Sequence, residues 1–334
     1  MQIIYFKMDL NLQENQFSFL STHSQIKTSE IYDILIIGAG PAGLTAALYC
    51  LRKGMKTGII AKDFGGKVID TNLIENYTGI HSITGAEFAN ALQAQILQFP
   101  VDMERSALVT RIEDGDVKHI YLSDHLMVKA KAIIISTGTY NKRLGIPSEN
   151  ELLGKGVSYC AICDALFYKD KNTVVVGGGN SAVDAVIDLA KIATQVTLVH
   201  YRNKLKADKV LVNKMLSFSN VTVLYEHRVT EIKGNGKVER IVITDLKTLE
   251  NRDLQTDGVF IEIGLKANSD FLSGLTETNT NGEIIVDAYC KTSRKGIFAA
   301  GDITNVPYKQ IVIAAGEGAK AALSACEYIT QLNN

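Results

Sequence analysis

The amino-acid sequence predicts an α/β protein built from two Rossmann-like dinucleotide-binding modules. A glycine-rich loop at Gly38 and a second one at Gly177 each follow an apolar run and precede a helical pattern. The length of 334 residues leaves room for two domains of ordinary size. Together, the two loops and the length favour two modules and two bound nucleotides.

The first module begins at the apolar segment 31–37, whose β-branched residues without alternation predict a buried strand. The glycine-rich loop 38–43 follows, and then an apolar helical stripe that stops at Gly54. Pro41 suits a first helical turn, where a backbone N–H has no partner within the helix. Such a loop lets backbone approach a pyrophosphate that the helix N-terminus faces, so the segment predicts nucleotide binding.

The second module repeats this order of elements. Segment 174–176 predicts a strand, 177–182 is the glycine-rich loop, and a helical stripe follows. A further strand at 195–199 arrives about 20 residues after the loop, as in a dinucleotide-binding unit. The alternative is a glycine-rich turn in an α/β unit that binds no nucleotide.

Near the C-terminus, a short apolar strand ends in Gly301 and Asp302, and a helix rich in small residues follows from about 311 to 329. An aspartate at the carboxyl end of a strand can accept hydrogen bonds from a polyol, and a helix N-terminus beside it stabilises negative charge. The alternative is an aspartate that only caps the helix.

The spacing of Cys160 and Cys163 lets two sulfurs reach disulfide distance within one turn, and such bonds are often labile. Half of a zinc site is the rival, but no second cysteine pair or histidine pair accompanies them, and no metal is expected. Two idle thiols are the other alternative. Asp164, directly after the pair, is suited to proton transfer or to helix capping.

The remaining cysteines are isolated, and we expect buried thiols at Cys50, Cys290 and Cys326. An odd count of five, without a secretory pattern, disfavours a disulfide framework and favours a cytoplasmic location. The net charge of −1 predicts neither nucleic-acid nor membrane binding, and the apolar runs are too short to span a bilayer. Residues 1–29 are interpreted as a polar arm outside the fold.

Several motifs give the chain from 31 to 329 a specific resemblance. They include Gly65-Gly66 with the segment 74–76, the segment 136–138, the paired cysteines with Asp164, and the segment from Gly301 to Ala319. In this order and spacing they resemble the low-molecular-weight thioredoxin reductases. The residues of these motifs resemble even more closely the C-terminal reductase module of the flavoprotein subunit of bacterial alkyl hydroperoxide reductase.

The resemblance implies that residues 30–143 and 274–334 form an FAD domain. Residues 144–273 would be an inserted NAD(P)H domain that carries the cysteine pair. The FAD-binding residues that it implies are Gly38, Gly40, Pro41, Ala42, Gly65, Gly66, Asn76, Thr137, Asp302 and Gln310. The nucleotide-binding residues of the inserted domain would be Gly177, Gly179, Asn180, Ser181, Ala182, His200, Arg202 and Lys206. A homodimer is also implied.

By the same resemblance, Cys163 lies toward the flavin, Cys160 attacks the partner disulfide and Asp164 handles the proton. Because the cysteine pair and the nicotinamide loop fall in one domain, we expect the flavin to face them alternately through a hinge rotation. The expected acceptor is a thioredoxin. The alternatives are a glutaredoxin-like or peroxiredoxin-linked carrier, a ferredoxin-fed variant, a dithiol oxidase and a redox sensor without turnover.

Three positions depart from the family pattern. Lys67 replaces the usual glutamine after the Gly-Gly pair, Ala165 replaces a glycine, and only Asp63 could supply the usual acid for the adenosine ribose. At the end of the second Rossmann strand the chain has no acid for a ribose 2′-hydroxyl, and it keeps Arg202 and Lys206. We therefore predict NADPH as the preferred nucleotide, with NADH as the alternative.

Overall fold

The computed structural model describes residues 23–71 and 73–332. The described strands are β1 His23–Gln25, β2 Ile31–Ala39, β3 Thr57–Phe64, β4 Val101–Arg105, β5 Val109–Glu113, β6 Lys118–Leu122, β7 Met127–Ile135, β8 Thr139–Asn141, β9 Val157–Ser158, β10 Asn172–Gly177, β11 Gln195–His200, β12 Val221–Tyr225, β13 His227–Lys233, β14 Arg240–Asp245, β15 Asn251–Gln255, β16 Gly258–Glu262, β17 Leu265–Ala267 and β18 Ile297–Ala299. The described α-helices are α1 Pro41–Arg52, α2 Gly85–Ile96, α3 Ala161–Asp164, α4 Asn180–Ala190, α5 Lys209–Leu216 and α6 Ile311–Leu332. Across these residues, no helix combines the length and the apolar character that crossing a bilayer requires.

The chain divides into two compact units. Of the described residues, the first unit comprises 23–68, 87–138 and 269–332, and the second comprises 69–71, 73–86 and 139–268. The central segment that leaves and rejoins the first unit thus begins and ends about five residues earlier than the boundaries expected from the sequence. Segment 69–86 also groups with the second unit, which the sequence did not indicate.

The first unit contains an eight-stranded sheet in the order β1-β4-β3-β2-β7-β6-β5, with β18 pairing with β7. Strand β2 lies between β3 and β7, parallel to both, and its four central residues, 34–37, are almost fully buried. Burial on both faces explains why this strand lacks the alternation of a half-exposed strand. Helices α1 and α6 share one apolar core with it.

Strand β1 belongs to a segment that the sequence analysis left outside the fold. It pairs with β4 in parallel, and Ile26 after it is buried. The buried Tyr32 hydroxyl donates a 2.7 Å hydrogen bond to Asp102 and accepts one from the Lys27 backbone N–H at 2.9 Å. Residues 23–29 are therefore attached to the first unit, while residues 1–22 of the expected arm lie outside the described residues.

The second unit contains the parallel sheet β12-β11-β10-β16-β9 and the antiparallel sheet β13-β14-β15. Helix α4 packs its buried residues against β10, β11 and β16, as expected for a Rossmann-like module. Strands β8 and β17, where the chain enters and leaves this unit, pair with each other in an antiparallel ladder.

Helices α1 and α6 approach each other closely because small residues face each other. A Cβ atom on Gly318 would lie only 2.9 Å from the carbonyl carbon of Ala42, and closer still to its oxygen. Ala46 and Ala322, one turn further along each helix, are fully buried. Only glycine at 318 permits this backbone approach.

We predict that Gly318→Ala lowers the free energy of unfolding of the first unit by about 1–3 kcal/mol, because the added methyl overlaps backbone that cannot move aside. Gly316→Ala on the same helix is the matched control. A Cβ atom there meets nothing within 4 Å, and the change should stabilise by about 0.5–1 kcal/mol through helix propensity. Urea denaturation followed by circular dichroism measures both, and equal shifts for the two variants would contradict the packing argument.

Candidate active site

The first glycine-rich loop lies against a second glycine pair at the carboxyl end of β2. Gly38 has a φ of +104°, and Gly40 is the N-cap of α1, with Pro41 as its first helical residue. The Gly65 N–H donates a 2.7 Å hydrogen bond to the Ala39 carbonyl, and a Cβ atom on Gly66 would lie 3.2 Å from the Gly40 Cα. The two turns therefore form a cradle that is lined by backbone.

Three further predicted residues belong to segments of the first unit that follow β7, follow β18 or precede α6. A Cβ atom on Gly38 would lie 2.9 Å from the Thr137 backbone nitrogen. Asp302 follows Gly301, whose Cβ would come 2.8 Å from the Cβ of Ala42 on α1. Gln310 precedes α6, and its carbonyl accepts a 2.9 Å hydrogen bond from the Ala314 N–H. Because β2, β7 and β18 are parallel, their carboxyl ends bring the segments of Thr137 and Asp302 to the same edge of the sheet as the first loop.

A partly exposed ion pair lies in this region. The Lys67 ammonium is 3.8 Å from the Asp302 carboxylate. Burial raises the pKa of Asp302 and lowers the pKa of Lys67, and in each case the charge of the partner opposes the effect of burial. Lys67, which replaces the usual glutamine of the family, is therefore in direct contact with a residue that the resemblance assigns to FAD binding.

These residues fit a flavin dinucleotide. A Cβ atom on Gly40 would meet only the Gly65 carbonyl, at 3.9 Å, so the loop leaves room for a pyrophosphate against backbone N–H groups. Asp302 supplies a carboxylate for a polyol hydroxyl. Asn76 is different, because its segment groups with the second unit rather than with the other predicted FAD residues.

The second loop follows β10. Gly177 pairs with Glu262 across the sheet, and a Cβ atom on it would lie 2.6 Å from the Cβ of Ala182. Gly179 is the N-cap of α4, and a Cβ atom there meets nothing within 4 Å. Asn180 exchanges two 2.9 Å hydrogen bonds with Asp208 before α5, while Ser181 is exposed. Like the first loop, this one offers backbone at a helix start to a bound anion.

The basic segment after β11 lies beside the second loop. His200 is buried, and its ring fills the space beside Gly178, where a Cβ atom would overlap it. Its Nε2 is 3.1 Å from the Lys204 carbonyl, and burial lowers its pKa. The Lys206 N–H donates a 2.7 Å hydrogen bond to the Gly178 carbonyl. The His200 ring thus packs against the second loop at Gly178.

Arg202 differs from His200 because it is exposed. Its Nε donates a 2.9 Å hydrogen bond to the hydroxyl of Tyr201, and its guanidinium lies 5.1 Å from the centre of the Tyr201 ring. Tyr201, which stands where the family has an arginine, therefore holds Arg202 at the end of β11. This leaves a guanidinium and the Lys206 ammonium available to an anion next to the loop.

Cys160 and Cys163 form a disulfide, with their Cα atoms 5.3 Å apart, at the start of α3. The Ser158 hydroxyl, at the end of β9, accepts a 3.0 Å hydrogen bond from the Cys160 N–H and donates one of 2.7 Å to the Asp164 carboxylate. Burial raises the pKa of Asp164, and the Ser158 hydrogen bond opposes this. Asp164 is thus held in the same turn as the disulfide, where burial favours its protonated form.

Sequence reasoning missed Glu262, which also contacts the cysteine turn. Its Oε1 accepts a 3.4 Å hydrogen bond from the Ala161 N–H, between the two cysteines. Burial raises the pKa of this carboxyl to about 7. The sequence contained one signal for this residue. Glu262 directly follows the apolar run 258–261, which is typical of a buried strand beside the nucleotide-binding strand.

The three other cysteines are free and buried, and within the described ranges no group of histidine, cysteine and acidic residues could hold a metal ion. The second unit thus contains one disulfide with two neighbouring carboxyls, and each unit contains one glycine-rich loop at a helix start. This combination defines a class of protein, the disulfide oxidoreductases that use dinucleotides.

Comparison with known proteins gives the family. The model of the pyridine nucleotide-disulphide oxidoreductases matches residues 32–318, and the chain belongs to this family. It is similar to the thioredoxin reductase from Streptococcus pyogenes MGAS5005, with a TM-score of 0.85, 39% identity, and coverage of 90% of this chain and 99% of that one. These findings confirm the predicted α/β fold with two dinucleotide-binding domains.

Two curated relatives carry different names. The chain is 44% identical to the F subunit of alkyl hydroperoxide reductase from Pseudomonas putida, over 91% of this chain and 59% of the relative. It is 40% identical to an NADH dehydrogenase from Bacillus subtilis (strain 168), over 92% of this chain and 60% of the relative. The chain thus spans about three fifths of the length of these relatives.

We predict that Glu262→Gln stabilises the protein in a pH-dependent way. Below about pH 4.5 the carboxyl is protonated in both the folded and the unfolded chain, so the change should have little effect on stability. Between about 4.5 and 7 the unfolded chain ionises first, and the folded state loses stability that the glutamine variant keeps. The difference in the free energy of unfolding between Glu262→Gln and wild type should therefore grow over this pH range and stay constant above it.

Urea denaturation midpoints of wild type and Glu262→Gln across this pH range test the prediction. Glu250→Gln, an exposed acid of the same unit, is the matched control and should show no such trend. A difference between wild type and Glu262→Gln that does not change with pH would contradict the assignment of a raised pKa.

Proposed function

We propose that the chain is a flavoprotein disulfide reductase that transfers electrons from NADPH through FAD and the Cys160–Cys163 disulfide to a small protein disulfide. A thioredoxin is the acceptor that we favour, with a glutaredoxin-like protein or a peroxiredoxin-linked carrier as alternatives. The observation that carries the proposal is the disulfide itself, which lies in the same unit as the nucleotide-binding loop at Gly177.

The residues of the chain have distinct tasks in this proposal. FAD, when bound, supplies two-electron transfer between the nicotinamide and the disulfide. Asp302 and the loop 38–43 bind and orient FAD. The loop 177–182 binds the nicotinamide nucleotide. Asp164, which Ser158 holds in place, gives a proton to the departing thiolate and recovers it when the disulfide re-forms.

The surface around the disulfide supports a protein acceptor. Ile162, between the two cysteines, exposes 68% of its surface, and Leu166, just beyond them, exposes 73%. Phe167 is exposed as well. Large exposed apolar side chains in one short segment mark an interaction site, and this segment contains the bond that the acceptor must reach. Cys160, the first cysteine of the pair, would attack the acceptor disulfide.

The preference for NADPH rests on charge. Arg202 and Lys206 lie beside the second loop, and the strand end offers no carboxylate to a ribose 2′-hydroxyl between 200 and 206. A 2′-phosphate would be bound by the Arg202 guanidinium, whose fork matches phosphate geometry. The homodimer and the cytoplasmic location expected from the sequence stay predictions.

Anaerobic reduction followed by carrier turnover tests the proposed function. NADPH should reduce the flavin-loaded protein, and the reduced protein should turn over one of a panel of thioredoxin, glutaredoxin-like and peroxiredoxin-linked carriers. We expect Cys163→Ser to trap a mixed disulfide between Cys160 and the carrier, because the resolving thiol is gone. Cys160→Ser should trap none, since the attacking thiol is missing.

Two outcomes would contradict the proposal. Bleaching of the flavin without multiple turnovers on any carrier would favour a redox sensor. A mixed disulfide in Cys160→Ser but not in Cys163→Ser would reverse the roles of the cysteines. The double serine variant is the control for trapping through the buried cysteines.

We predict that Arg202→Ala lowers kcat/KM for NADPH by about tenfold or more, because a charge-assisted contact with the 2′-phosphate is lost. The value for NADH, which lacks this phosphate, should change little. Lys209→Ala, an exposed lysine at the start of α5, is the control and should leave both values unchanged. Wild-type rates that strongly favour NADH would overturn the nucleotide preference.

A further inference from the structure

Glu262 ends strand β16 at the point where the nucleotide loop and the cysteine turn meet. Strand β10 pairs with β16 in parallel, and Gly177 lies opposite Glu262. On the other side, β9 pairs with β16, and Ser158 lies opposite Phe260. Because parallel strands advance together, two further residues along β9 bring the chain level with Glu262 at Cys160.

The side chain of Glu262 turns toward the cysteines. Its contact with the Ala161 N–H links it to the residue that follows Cys160. Asp164 lies at the other end of the same turn, on the Ser158 hydroxyl. Two carboxyls thus contact the cysteine turn. Asp164 does so through the Ser158 hydroxyl and Glu262 through the Ala161 N–H, and neither hydrogen bond involves sulfur.

The surroundings of Glu262 leave its charge poorly compensated. The elements around it carry several charged and titratable groups: Cys163 and Asp164 of α3, its N-cap Cys160, Tyr168 in the following turn, Asp184 on α4, Lys142 directly after β8, and Lys266 on β17. Among the described side chains, no lysine or arginine charge acts on the pKa of Glu262, which burial raises. The hydrogen bond from the Ala161 N–H is the contact that favours its ionised form.

We propose that Glu262 is a positioning residue of the redox centre that takes up a proton when the Cys160–Cys163 disulfide is reduced and releases it when the disulfide re-forms. The proposal rests on the proposed function in taking this disulfide as the working one. Glu262 does not touch sulfur, so it acts through the charge that it places beside the turn.

The proton and electron balance is as follows. Two electrons and one proton convert the disulfide into one thiol and one thiolate, and the S–S bond breaks. The new thiolate adds a negative charge to the turn that the Glu262 carboxylate contacts, so the carboxylate binds a second proton from solvent. The electrons come from the nicotinamide nucleotide in the enzyme, or from a small dithiol in a test. Oxidation reverses each step.

This coupling has a defined pH range. The pKa of Glu262 lies near 7 with the disulfide intact, so below that range the carboxyl is protonated in both redox states and contributes nothing. Above it, reduction of wild type requires one more proton than reduction of a variant without the carboxyl. Wild type therefore becomes harder to reduce than Glu262→Gln as the pH rises.

The test compares the dithiol–disulfide equilibrium of the flavin-loaded wild type and Glu262→Gln. Each protein is equilibrated anaerobically with reduced and oxidised dithiothreitol at pH values on both sides of 7, then quenched and alkylated. Mass spectrometry of the peptide that contains both cysteines gives the reduced fraction. Glutamine keeps an oxygen for the Ala161 N–H, so the turn is preserved while the titration is removed.

We expect equal equilibrium constants for the two proteins below about pH 6 and a divergence of up to about tenfold per pH unit above about pH 7, as one additional proton requires. Glu250→Gln should follow wild type at every pH. The same comparison in an Asp164→Asn background should keep the divergence, because it belongs to Glu262.

Parallel curves for wild type and Glu262→Gln across the pH range would overturn the proposal. So would a change confined to the KM for the nicotinamide nucleotide, which would place Glu262 in nucleotide binding instead. Failure of the proposed function would look different, because Cys160 and Cys163 would then exchange with the dithiol normally but no carrier would turn over.

Discussion

The parallel pairing of strands is the constraint on which the site depends. In each unit, the strands that carry function end at one edge of a sheet, because parallel strands run in the same direction. In the second unit this alignment places Gly177, Glu262 and the turn after Ser158 side by side. Residues about 100 positions apart in sequence thus contact one another without any dedicated loop. The register of the pairing between β10, β16 and β9 therefore determines which residues lie beside the disulfide.

The close approaches within each unit explain why particular positions carry glycine. Gly38 with its positive φ lets β2 turn against the segment at Thr137, and Gly177 brings the backbone of β10 next to that of β16. Gly318 does the same between two helices by admitting the carbonyl of Ala42. A side chain at any of these three positions would separate backbones whose contact forms a cradle or a core.

Much of this arrangement could be predicted from sequence because it is local. The two strand–glycine–helix segments and the cysteine pair are recognised from neighbouring residues, and the observed β2, α1, β10, α4 and disulfide follow them. Long-range register was not accessible. Glu262 is an ordinary acid in the sequence, and only the pairing of β16 with β9 brings it to Ala161. The pairing of β1 with β4 likewise depends on a distant strand and not on the polar composition of the N-terminal segment.

Burial is the common cause behind the unusual acids of this protein. It raises the pKa of Asp164, Glu262 and Asp302, but their surroundings differ. Asp302 has the Lys67 ammonium at 3.8 Å, which opposes the shift and holds a charge pair in place. Asp164 has a hydroxyl and Glu262 a backbone N–H, and neither of these groups brings a compensating charge. A carboxyl with a charged partner is suited to binding, whereas one stabilised only by hydrogen bonds gains and loses protons readily. The two acids beside the disulfide are of the second kind, which suits the proton transfer that we propose for this centre.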